Sequence, residues 1–412
     1  MPPGPPDPLP AAVDAVIVGA GYTGLAAARE LAEAGRSTLV LDAGEFGAGC
    51  SGRNGGQVAY SVKPSLVELT HRHGAATALG IGREALAAIA YLRDLARDHS
   101  LDFDWRPCGG YFAAHTRRHF RALCREAEEQ PPPGLGQRIS VVGPDQQHTE
   151  IDTSFYHGGL VYHDDASVNP ARLLLAMLAR ARTAGAVVHH RCAVTSMQRV
   201  PGGFELLTAR GRIVARQVLL ATNGYAGPLS PWHRRRIIPI GSYQIATEDL
   251  GEERVRALLP QGRNVGDTRR VVVYFRPSPD GRRILFGGRA ALSEHDALKV
   301  VPRMRQMLAQ IFPSLAQVRI THAWVGMVAF TFDRLMHVGG QDGLFHCMGY
   351  CGQGVPMAPF FGMRIGQQML GRPEGRTSFD GLEFPARAWY RGTPWFLAPS
   401  VSWYRTLDVL GL

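Results

Sequence analysis

The sequence contains few of the residues that build disulfide scaffolds, zinc sites or membrane spans. It has only six cysteines in 412 residues, and no second pair at zinc-like spacing accompanies Cys347 and Cys351 beside His346. No stretch approaches the run of about 20 apolar residues that a membrane-spanning helix needs. The N-terminus also lacks a basic stretch followed by an apolar one. These absences predict reduced thiols, no metal, no transmembrane segment and a cytoplasmic location.

Lysine is also scarce, since Lys63 and Lys299 are the only lysines among 45 lysine and arginine residues. The formal net charge is +10, but the arginines are scattered and no nucleic-acid recognition motif accompanies them. A nucleic-acid partner is therefore not expected. The length and a hydrophobic content of 45% favour two domains. A lead-in rich in proline and glycine, residues 1–12, precedes them and is expected to be disordered.

A glycine-rich turn follows the first predicted strand. Residues 15–18 are apolar and β-branched, as in a buried parallel strand, and lead directly into GAGYTG at residues 19–24. Gly19 permits a tight turn, Gly21 lets the backbone approach a pyrophosphate, and Gly24 lets the next helix pack close to the strand. The amino terminus of that helix offers N–H groups and a positive dipole to phosphates.

An acidic residue stands where the second predicted strand ends. Apolar residues recur at helical spacing as far as Gly35, and a strand over residues 37–41 then ends at Asp42. Asp42 comes about 20 residues after the glycines, where it can accept hydrogen bonds from ribose hydroxyls. Strand, turn, helix, strand and acid together predict a Rossmann-like dinucleotide-binding domain.

A second glycine-rich stretch distinguishes FAD from NAD. Residues 47–57 read GAGCSGRNGGQ, and a nicotinamide dehydrogenase has no need of such a stretch just beyond the acid. A backbone this rich in glycine can lie flat against a planar ligand. Ser51, Arg53 and Asn54 supply polar groups to phosphate or to ring edges.

These motifs resemble the N-terminal signature of the FAD-dependent D-amino-acid oxidase and sarcosine oxidase superfamily. The similar strings are GAGYTGLAAARELAEAG, the LD that ends the second strand, and GAGCSGRNGGQV, in which SGRNGGQ most resembles the γ-glutamylputrescine oxidoreductase branch. The resemblance implies an α/β fold with a Rossmann-like FAD-binding domain of the GR2 type and a substrate domain built on an antiparallel sheet. The predicted boundaries are 13–90, 163–236 and 333–384 for the FAD-binding domain, 91–162 and 237–332 for the substrate domain, and 385–412 for an aromatic-rich tail.

Two later segments also match the family pattern and are expected to lie at the cofactor. A strand over residues 218–221 runs into Thr222-Asn223-Gly224, and residues 324–333 resemble the family stretch W-x-G-x-x-x-x-T-x-D. Asp333 is expected either to hold a turn of the main chain or to hold the ribityl region of FAD. Sarcosine oxidases carry a flavin-linked cysteine near Gly326, so the resemblance implies FAD bound without a covalent link.

The last glycine stretch precedes a predicted helix. Glycines followed by proline at a helix start leave backbone N–H groups unpaired, and such a terminus favours negative charge. In the family it faces the anion of the reduced flavin. All residues expected to bind FAD are Gly19, Gly21, Tyr22, Thr23, Gly24, Asp42, Ala43, Ser51, Gly52, Arg53, Asn54, Gly55, Gly56, Gln57, Ala193, Val194, Ala221, Thr222, Asn223, Gly224, Trp324, Gly326, Asp333, Gly352, Gln353, Gly354 and Val355.

The substrate is expected to contact a sheet that covers the flavin. Residues 237–325 are patterned like strands, most clearly at 242–247, 271–276 and 284–289. The candidate substrate-contacting residues on these runs are Tyr243, Gln244, Tyr274, Arg276 and Arg289. Alternating polar residues of this kind also occur on sheets that simply face water.

The resemblance implies oxidation of a C–N bond in a small-molecule amine or amino acid, such as a γ-glutamylputrescine-like amine. Hydride passes from the amine-bearing carbon to flavin N5, and the imine is hydrolysed. Dioxygen is the favoured acceptor, but Leu285 stands where sarcosine oxidases carry an oxygen-activating lysine, so oxidase and dehydrogenase both stay open. A D-amino-acid dehydrogenase using Arg276 and Arg289 for a carboxylate, and a flavin-binding protein without turnover, are the alternatives. The sequence leaves the oligomeric state open.

The carboxyl-terminal tail concentrates aromatic residues among prolines and arginines: Trp389, Tyr390, Trp395, Trp403 and Tyr404. A membrane surface or the active-site entrance would suit such side chains. Packing against the protein's own surface is the preferred interpretation.

Overall fold

The computed structural model describes residues 8–60, 62–98, 101–129, 131–288 and 296–410. Within these residues the strands are β1 Ala12–Val18, β2 Thr38–Leu41, β3 Gln57–Val58, β4 Gly110–Ala113, β5 Ile139–Val142, β6 Gly159–Tyr162, β7 Ala166–Ser167, β8 Val187–His189, β9 Val194–Val200, β10 Gly203–Thr208, β11 Gly211–Leu220, β12 Ile238–Thr247, β13 Asn264–Asp267, β14 Val273–Pro277, β15 Ile284–Gly288, β16 Ile320–Phe330, β17 His337–Gln341 and β18 Leu344–Met348. The helices are α1 Tyr22–Glu33, α2 Cys50–Arg53, α3 Leu66–His73, α4 Ala75–Leu95, α5 Arg117–Glu128, α6 Pro170–Thr183, α7 Pro231–Arg234, α8 Glu252–Leu258, α9 Val301–Ile311, α10 Gly354–Met369 and α11 Leu397–Leu410.

The first large sheet is a Rossmann-like sheet with the strand order β17-β18-β11-β1-β2-β8. The pairs from β18 to β8 are parallel, β17 is antiparallel to β18, and the β9–β10 hairpin extends from β11. Val16 and Ile17 are fully buried, because they face the two cores on opposite sides of the sheet. Asn169 caps α6, since its side chain accepts from the backbone N–H of Arg172 at the start of that helix.

Helices α1 and α10 pack in parallel on one face of this sheet. Their backbones approach closely at two glycines of α10. A methyl group on Gly362 would lie 2.5 Å from the carbonyl oxygen of Thr23, and one on Gly366 would lie 3.1 Å from that of Ala27. Helix α1, which follows the first glycine turn, is therefore in direct contact with α10, which comes from the last part of the described chain.

The second large sheet has the strand order β16-β12-β15-β14-β13-β4-β6-β5. Its pairs are antiparallel except for β13 and β4, which run parallel, so the predicted antiparallel sheet is confirmed with one parallel pair. The expectation of strands throughout residues 237–325 is corrected, since α8 and α9 are helices within it. A separate core lies on this sheet and includes Phe275, Phe286 and Leu308.

Helix α4 is long and apolar enough, by length and composition, to cross a membrane. The expectation that no segment comes near this requirement is therefore too strong. Ile81, Ala88 and Leu92 on α4 are fully buried in the core beside α10, as is common for a core helix of a folded domain. The predicted domain boundary at residues 90 and 91 falls inside α4, so one continuous helix crosses it. We propose that the two large sheets are the centres of the two domains.

The aromatic tail is partly packed. Tyr390 is fully buried among Ile238, Ile240 and Leu397, and its hydroxyl donates to the carbonyl of Ile237 at 2.7 Å. The indoles of Trp389, Trp395 and Trp403 and the ring of Tyr404 lie at the surface and are 43–66% exposed. Trp389 and Trp395 nevertheless make ring contacts, Trp389 with Phe332 and both with Phe396, so the packing that the sequence favours is seen for part of the tail.

Candidate active site

The first glycine turn has no room for side chains. Gly19 has φ of +110°, and a methyl group on it would lie 2.8 Å from the carbonyl oxygen of Ala221. A methyl group on Gly24 would lie 2.0 Å from the carbonyl oxygen of Gly19. Gly21 precedes α1 and makes no side-chain cap. The Ser51 hydroxyl accepts the N–H of Tyr22, so the N–H groups that follow in the first turn are the ones that can meet an anion.

The second glycine stretch folds back onto this turn. The hydroxyl of Ser51 accepts from the backbone N–H of Tyr22 at 3.2 Å, and a methyl group on Gly21 would lie 2.9 Å from the same hydroxyl. Asn54 donates to the carbonyl of Ser51 at 2.9 Å and accepts from the N–H of Gly56 at 2.8 Å. These bonds give the two glycine stretches one defined relative position.

Asp42 lies at the end of β2, beside the turn. One carboxylate oxygen accepts from the N–H of Ala20 at 2.8 Å and the other from the N–H of Gly44 at 2.9 Å. Each oxygen keeps further acceptor capacity, so a ribose hydroxyl can still bind there. Cys192 donates its N–H to the carbonyl of Asp42 at 2.8 Å, which brings Ala193 and Val194 towards Asp42 and Ala43.

A cavity of about 910 Å³ opens between the two sheets, at the upper end of the range for cofactor and small-molecule sites. The predicted residues that line it are Gly21, Tyr22, Thr23, Ser51, Arg53, Asn54, Gly55, Gln57, Ala221, Asn223, Tyr274, Gly326, Gly352, Gln353, Gly354 and Val355. Both glycine stretches and the start of α10 therefore face one space.

Other predicted cofactor residues support this lining without facing the cavity. Gly52 packs against the backbone of Gly47, and Gly224 packs against that of Met327. The predicted residues outside the lining are Gly19, Gly24, Asp42, Ala43, Gly52, Gly56, Ala193, Val194, Thr222, Gly224, Trp324 and Asp333.

The late glycine stretch is held in an unusual backbone conformation. Gly349, Cys351 and Gly352 have φ of 85°, 53° and 92°. The side-chain oxygen of Asn223 accepts from the N–H of Gly349 at 2.9 Å. Helix α10 then begins at Gly354 with no side-chain cap, and Gly354 lines the cavity.

Cys347 is buried in a neutral hydrogen-bond network. Its sulfur lies 3.1 Å from the hydroxyl of Tyr350, which lies 2.6 Å from that of Thr23. Burial raises the pKa of Cys347 to about 12, so the thiol stays protonated. Within the described residues there is no group of histidine, cysteine and acidic residues that could hold a metal ion.

Tyr243 and Asp333 do not line the cavity. Tyr243 is fully buried in the core of the second sheet, because it faces the opposite side of β12 from Gln244. The Asp333 carboxylate accepts from the N–H of Leu335 and lies 3.2 Å from the His337 ring, so it holds the chain turn. Arg289 lies outside the described residues.

Arg276 is bound to the main chain rather than placed for a substrate. It is 4% exposed and donates to the carbonyl of Gly55 at 2.7 Å and to that of Val168 at 2.9 Å. Burial lowers the pKa of Arg276 to about 10. The carboxylate contact expected in the D-amino-acid alternative is not supported by this placement.

The sequence did not single out several polar residues that line the cavity: Lys63, Glu126, Glu129, Gln137, Asp165 and Asn264. We propose that the end beside β4 and β13 of the second sheet, where Asp165 and Asn264 lie, is the substrate end. Burial raises the pKa of Asp165 to about 7. Burial and the neighbouring Glu129 raise the pKa of Glu126. These residues lie in loops or at element ends, where no periodic pattern marks them.

A Rossmann turn, an acid at the end of the second strand and two glycine stretches facing one cavity define a dinucleotide-binding flavoprotein. The glycine positions leave the free backbone that a pyrophosphate and a planar ring need, so the residues present fit FAD. Residues 14–368 match the family model described as FAD dependent oxidoreductase, and the chain belongs to this family.

Relatives and solved structures agree with this assignment. The probable oxidoreductase OrdL of Rhizobium meliloti is 32% identical over 402 residues, which cover 96% of this chain and 92% of that protein. The γ-glutamylputrescine oxidoreductase of Escherichia coli is 30% identical over 404 residues, with 97% and 93% coverage. Glycine oxidase from Geobacillus kaustophilus has the same fold, with a TM-score of 0.76, 20% identity, and coverage of 92% of this chain and 99% of that one. The protein is therefore an FAD-dependent oxidoreductase.

Proposed function

We propose that the protein oxidises a C–N bond in a γ-glutamylputrescine-like amine and uses dioxygen as the electron acceptor. The observation that carries the proposal is that the glycine stretches and a set of carboxylates line the same cavity. Carboxylates at the substrate end favour positively charged amines over simple anions. The similarity to a γ-glutamylputrescine oxidoreductase supports the same substrate class.

FAD, when bound, supplies the acceptor for the hydride that leaves the amine-bearing carbon. The backbone of Arg53 to Gly56 and the start of α10 are the proposed flavin contacts. The uncapped α10 terminus favours negative charge at its end of the cavity. No fixed general base is required for a substrate that binds as the neutral amine.

Tyr274 is the proposed substrate-facing residue among those predicted on the second sheet. Its hydroxyl lies 2.9 Å from that of Ser242, and its ring abuts Gly55, where a methyl group would come within 2.8 Å. We propose that Gln244 and Arg276 act as positioning residues, because each holds a carbonyl of the second glycine stretch.

The test is anaerobic mixing of the FAD-loaded protein with amines and D-amino acids, followed by flavin absorbance. Bleaching by amines, with hydrogen peroxide formed on readmission of air, is the expected result. Bleaching by D-amino acids alone would favour the dehydrogenase alternative. Bleaching by neither class would end the proposal, and bleaching by amines without peroxide would overturn the choice of acceptor.

A further inference from the structure

Two buried oxygen atoms at the substrate end of the cavity have no hydrogen-bond partner within the described residues. They are Oδ1 of Asp165 and Oδ1 of Asn264, on residues that are only 6% and 5% exposed and that line the cavity. Buried polar atoms in folded proteins are nearly always paired. Two orphaned acceptors beside one cavity therefore indicate a missing donor.

The two side chains flank the same glycine. Asn264 pairs with Gly110 across β13 and β4, and a methyl group on Gly110 would lie 2.3 Å from the other carboxylate oxygen of Asp165. The amide nitrogen of Asn264 donates to the carbonyl of Ala166 at 2.7 Å, next to Asp165 in the chain. That bond leaves the amide oxygen as the acceptor available to a ligand.

Among the described residues, no cation is a main cause of the pKa shift of Asp165. Burial raises the pKa of Asp165, Asp164 raises it further, and only a hydrogen bond with the backbone of Tyr60 lowers it. Tyr162 also lines the cavity. Burial raises the pKa of Tyr162, and the charges of Glu126 and Asp165 raise it further. A buried carboxylate becomes favourable when a cation joins it. The missing donor is therefore expected to carry positive charge.

We propose that Asp165 and Asn264 bind an ammonium group of the substrate that is not the nitrogen being oxidised. The inference rests on the proposed amine oxidation. Loss of hydride requires a nitrogen lone pair to form the C=N bond, and an ammonium ion paired with a carboxylate has none. The substrate class is then a diamine, polyamine or aminoalkyl compound with a second basic nitrogen.

The separation between Asp165 and the loop proposed to contact the flavin fits a substrate whose two nitrogens are some distance apart. Val58 pairs with Ala166, the residue after Asp165. Gly56, in the loop proposed to contact the flavin, lies two residues before Val58, a distance on the order of 7 Å along an extended strand. An alkyl chain can span the gap between the reacting carbon and the bound ammonium group.

The test compares Asp165→Asn with the parent protein, both loaded with FAD and kept anaerobic. Putrescine and butylamine are the probes, and the dissociation constant of each is read from the perturbation of the flavin spectrum, whether or not reduction follows. The variant is expected to bind putrescine about 10- to 100-fold more weakly, as for loss of a hydrogen bond to a charged group. Its binding of butylamine is expected to change far less, and the parent should prefer putrescine.

Asp249→Asn is the control, because Asp249 is surface-exposed and paired with Arg282 and is not among the groups that shift the pKa of Asp165. It should bind putrescine as the parent does. Equal putrescine binding by Asp165→Asn and parent, no preference of the parent for putrescine, or no binding of either probe overturns the subsite. Putrescine binding that depends on Asp165 without any flavin reduction would uphold the subsite while ending the proposed oxidation.

Discussion

Gln244 and Trp324 lie directly opposite each other on the antiparallel strands β12 and β16, and both donate to one main-chain oxygen. The side-chain nitrogen of each lies 2.9 Å from the carbonyl oxygen of Arg53. Gln244 is only 2% exposed. The substrate-domain sheet therefore holds the second glycine stretch of the cofactor site in place through two side chains.

Removing both donors should weaken FAD binding by more free energy than the sum of the two single removals. In Gln244→Leu or Trp324→Phe the Arg53 carbonyl keeps one partner, so we expect the dissociation constant of FAD to rise by less than about tenfold. The double variant leaves a buried carbonyl orphaned, at a cost of about 1–3 kcal/mol. FAD titration of the apoproteins measures all three values.

Gln261→Leu is the control for this comparison of single and double variants, because Gln261 donates a hydrogen bond to the carbonyl of Thr149 at the surface. It should leave the affinity for FAD unchanged. Strict additivity of the two single effects would contradict the shared role of Gln244 and Trp324.

Gly24→Ala should abolish FAD binding. Its methyl group would lie 2.0 Å from the carbonyl oxygen of Gly19, a contact that only movement of α1 or of the turn can relieve. Gly143→Ala is the control, since that position has φ of −69° and open space around it. Flavin absorbance per protein should be lost in the first variant and kept in the second. A yellow, FAD-saturated Gly24→Ala protein would show that the turn can adapt.

Arg276→Met should destabilise the second glycine stretch, and it should not change the preference for one substrate class over another. The change orphans the carbonyls of Gly55 and Val168, at a cost of about 1–3 kcal/mol for each buried group. We expect lower FAD occupancy and a lower free energy of unfolding by urea, with an unchanged ratio of activity on amines and D-amino acids. A selective loss of D-amino-acid oxidation would instead restore Arg276 as a carboxylate ligand.

The burial of Asp165 predicts a pH-dependent stability difference in the absence of substrate. Its pKa is raised from 3.8 to about 7, so between these values the folded state binds more protons than the unfolded state, and the free energy of unfolding falls as pH rises. Asp165→Asn removes this loss, which is worth about 1.4 kcal/mol for each pKa unit. Urea unfolding at about pH 5 and about pH 8 should therefore show a larger advantage of the variant at the higher pH.

Asp164→Asn should show the opposite sign, but only near and below the unfolded pKa of 3.8 and not between about pH 5 and about pH 8. A hydrogen bond from Arg138 is the main cause that lowers the pKa of Asp164, so its contribution is present above the unfolded pKa and lost on acidification. A pH-independent difference between the parent and Asp165→Asn would mean that Asp165 has a partner in solution.

Denaturation should release all of the FAD. Gly326 offers no thiol, but Cys50 lines the cavity beside it, and a methyl group on Gly326 would lie 3.4 Å from the Cys50 sulfur. Acid precipitation followed by filtration should leave the full yellow colour in the filtrate. Flavin retained in the pellet of the parent but not of Cys50→Ala would identify a covalent link at Cys50.

The glycine turn could be predicted from sequence because its requirements are local. Gly19, Gly21 and Gly24 follow a strand and begin a helix, so spacing alone specifies the backbone they need. Tyr243 and Gln244 show the limit of this reasoning. Adjacent residues in a strand face opposite sides, and the side that meets the cavity depends on sheets formed by distant segments.

Long-range contacts also explain the misassigned arginine and the missed acids. Arg276 has the charge expected of a carboxylate ligand, but its partners at Gly55 and Val168 are 221 and 108 residues away. Asp165 lies in the loop between β6 and β7, and Asn264 starts β13. Only the pairing of β13 with β4 brings the two together, and no local pattern encodes that pairing.

The close contact between α1 and α10 also has a consequence for biosynthesis. The first glycine turn leaves the ribosome early, but the helix that packs against α1 begins only at Gly354. A nascent chain that stops before this residue lacks one wall of the cavity, so it should be released without colour.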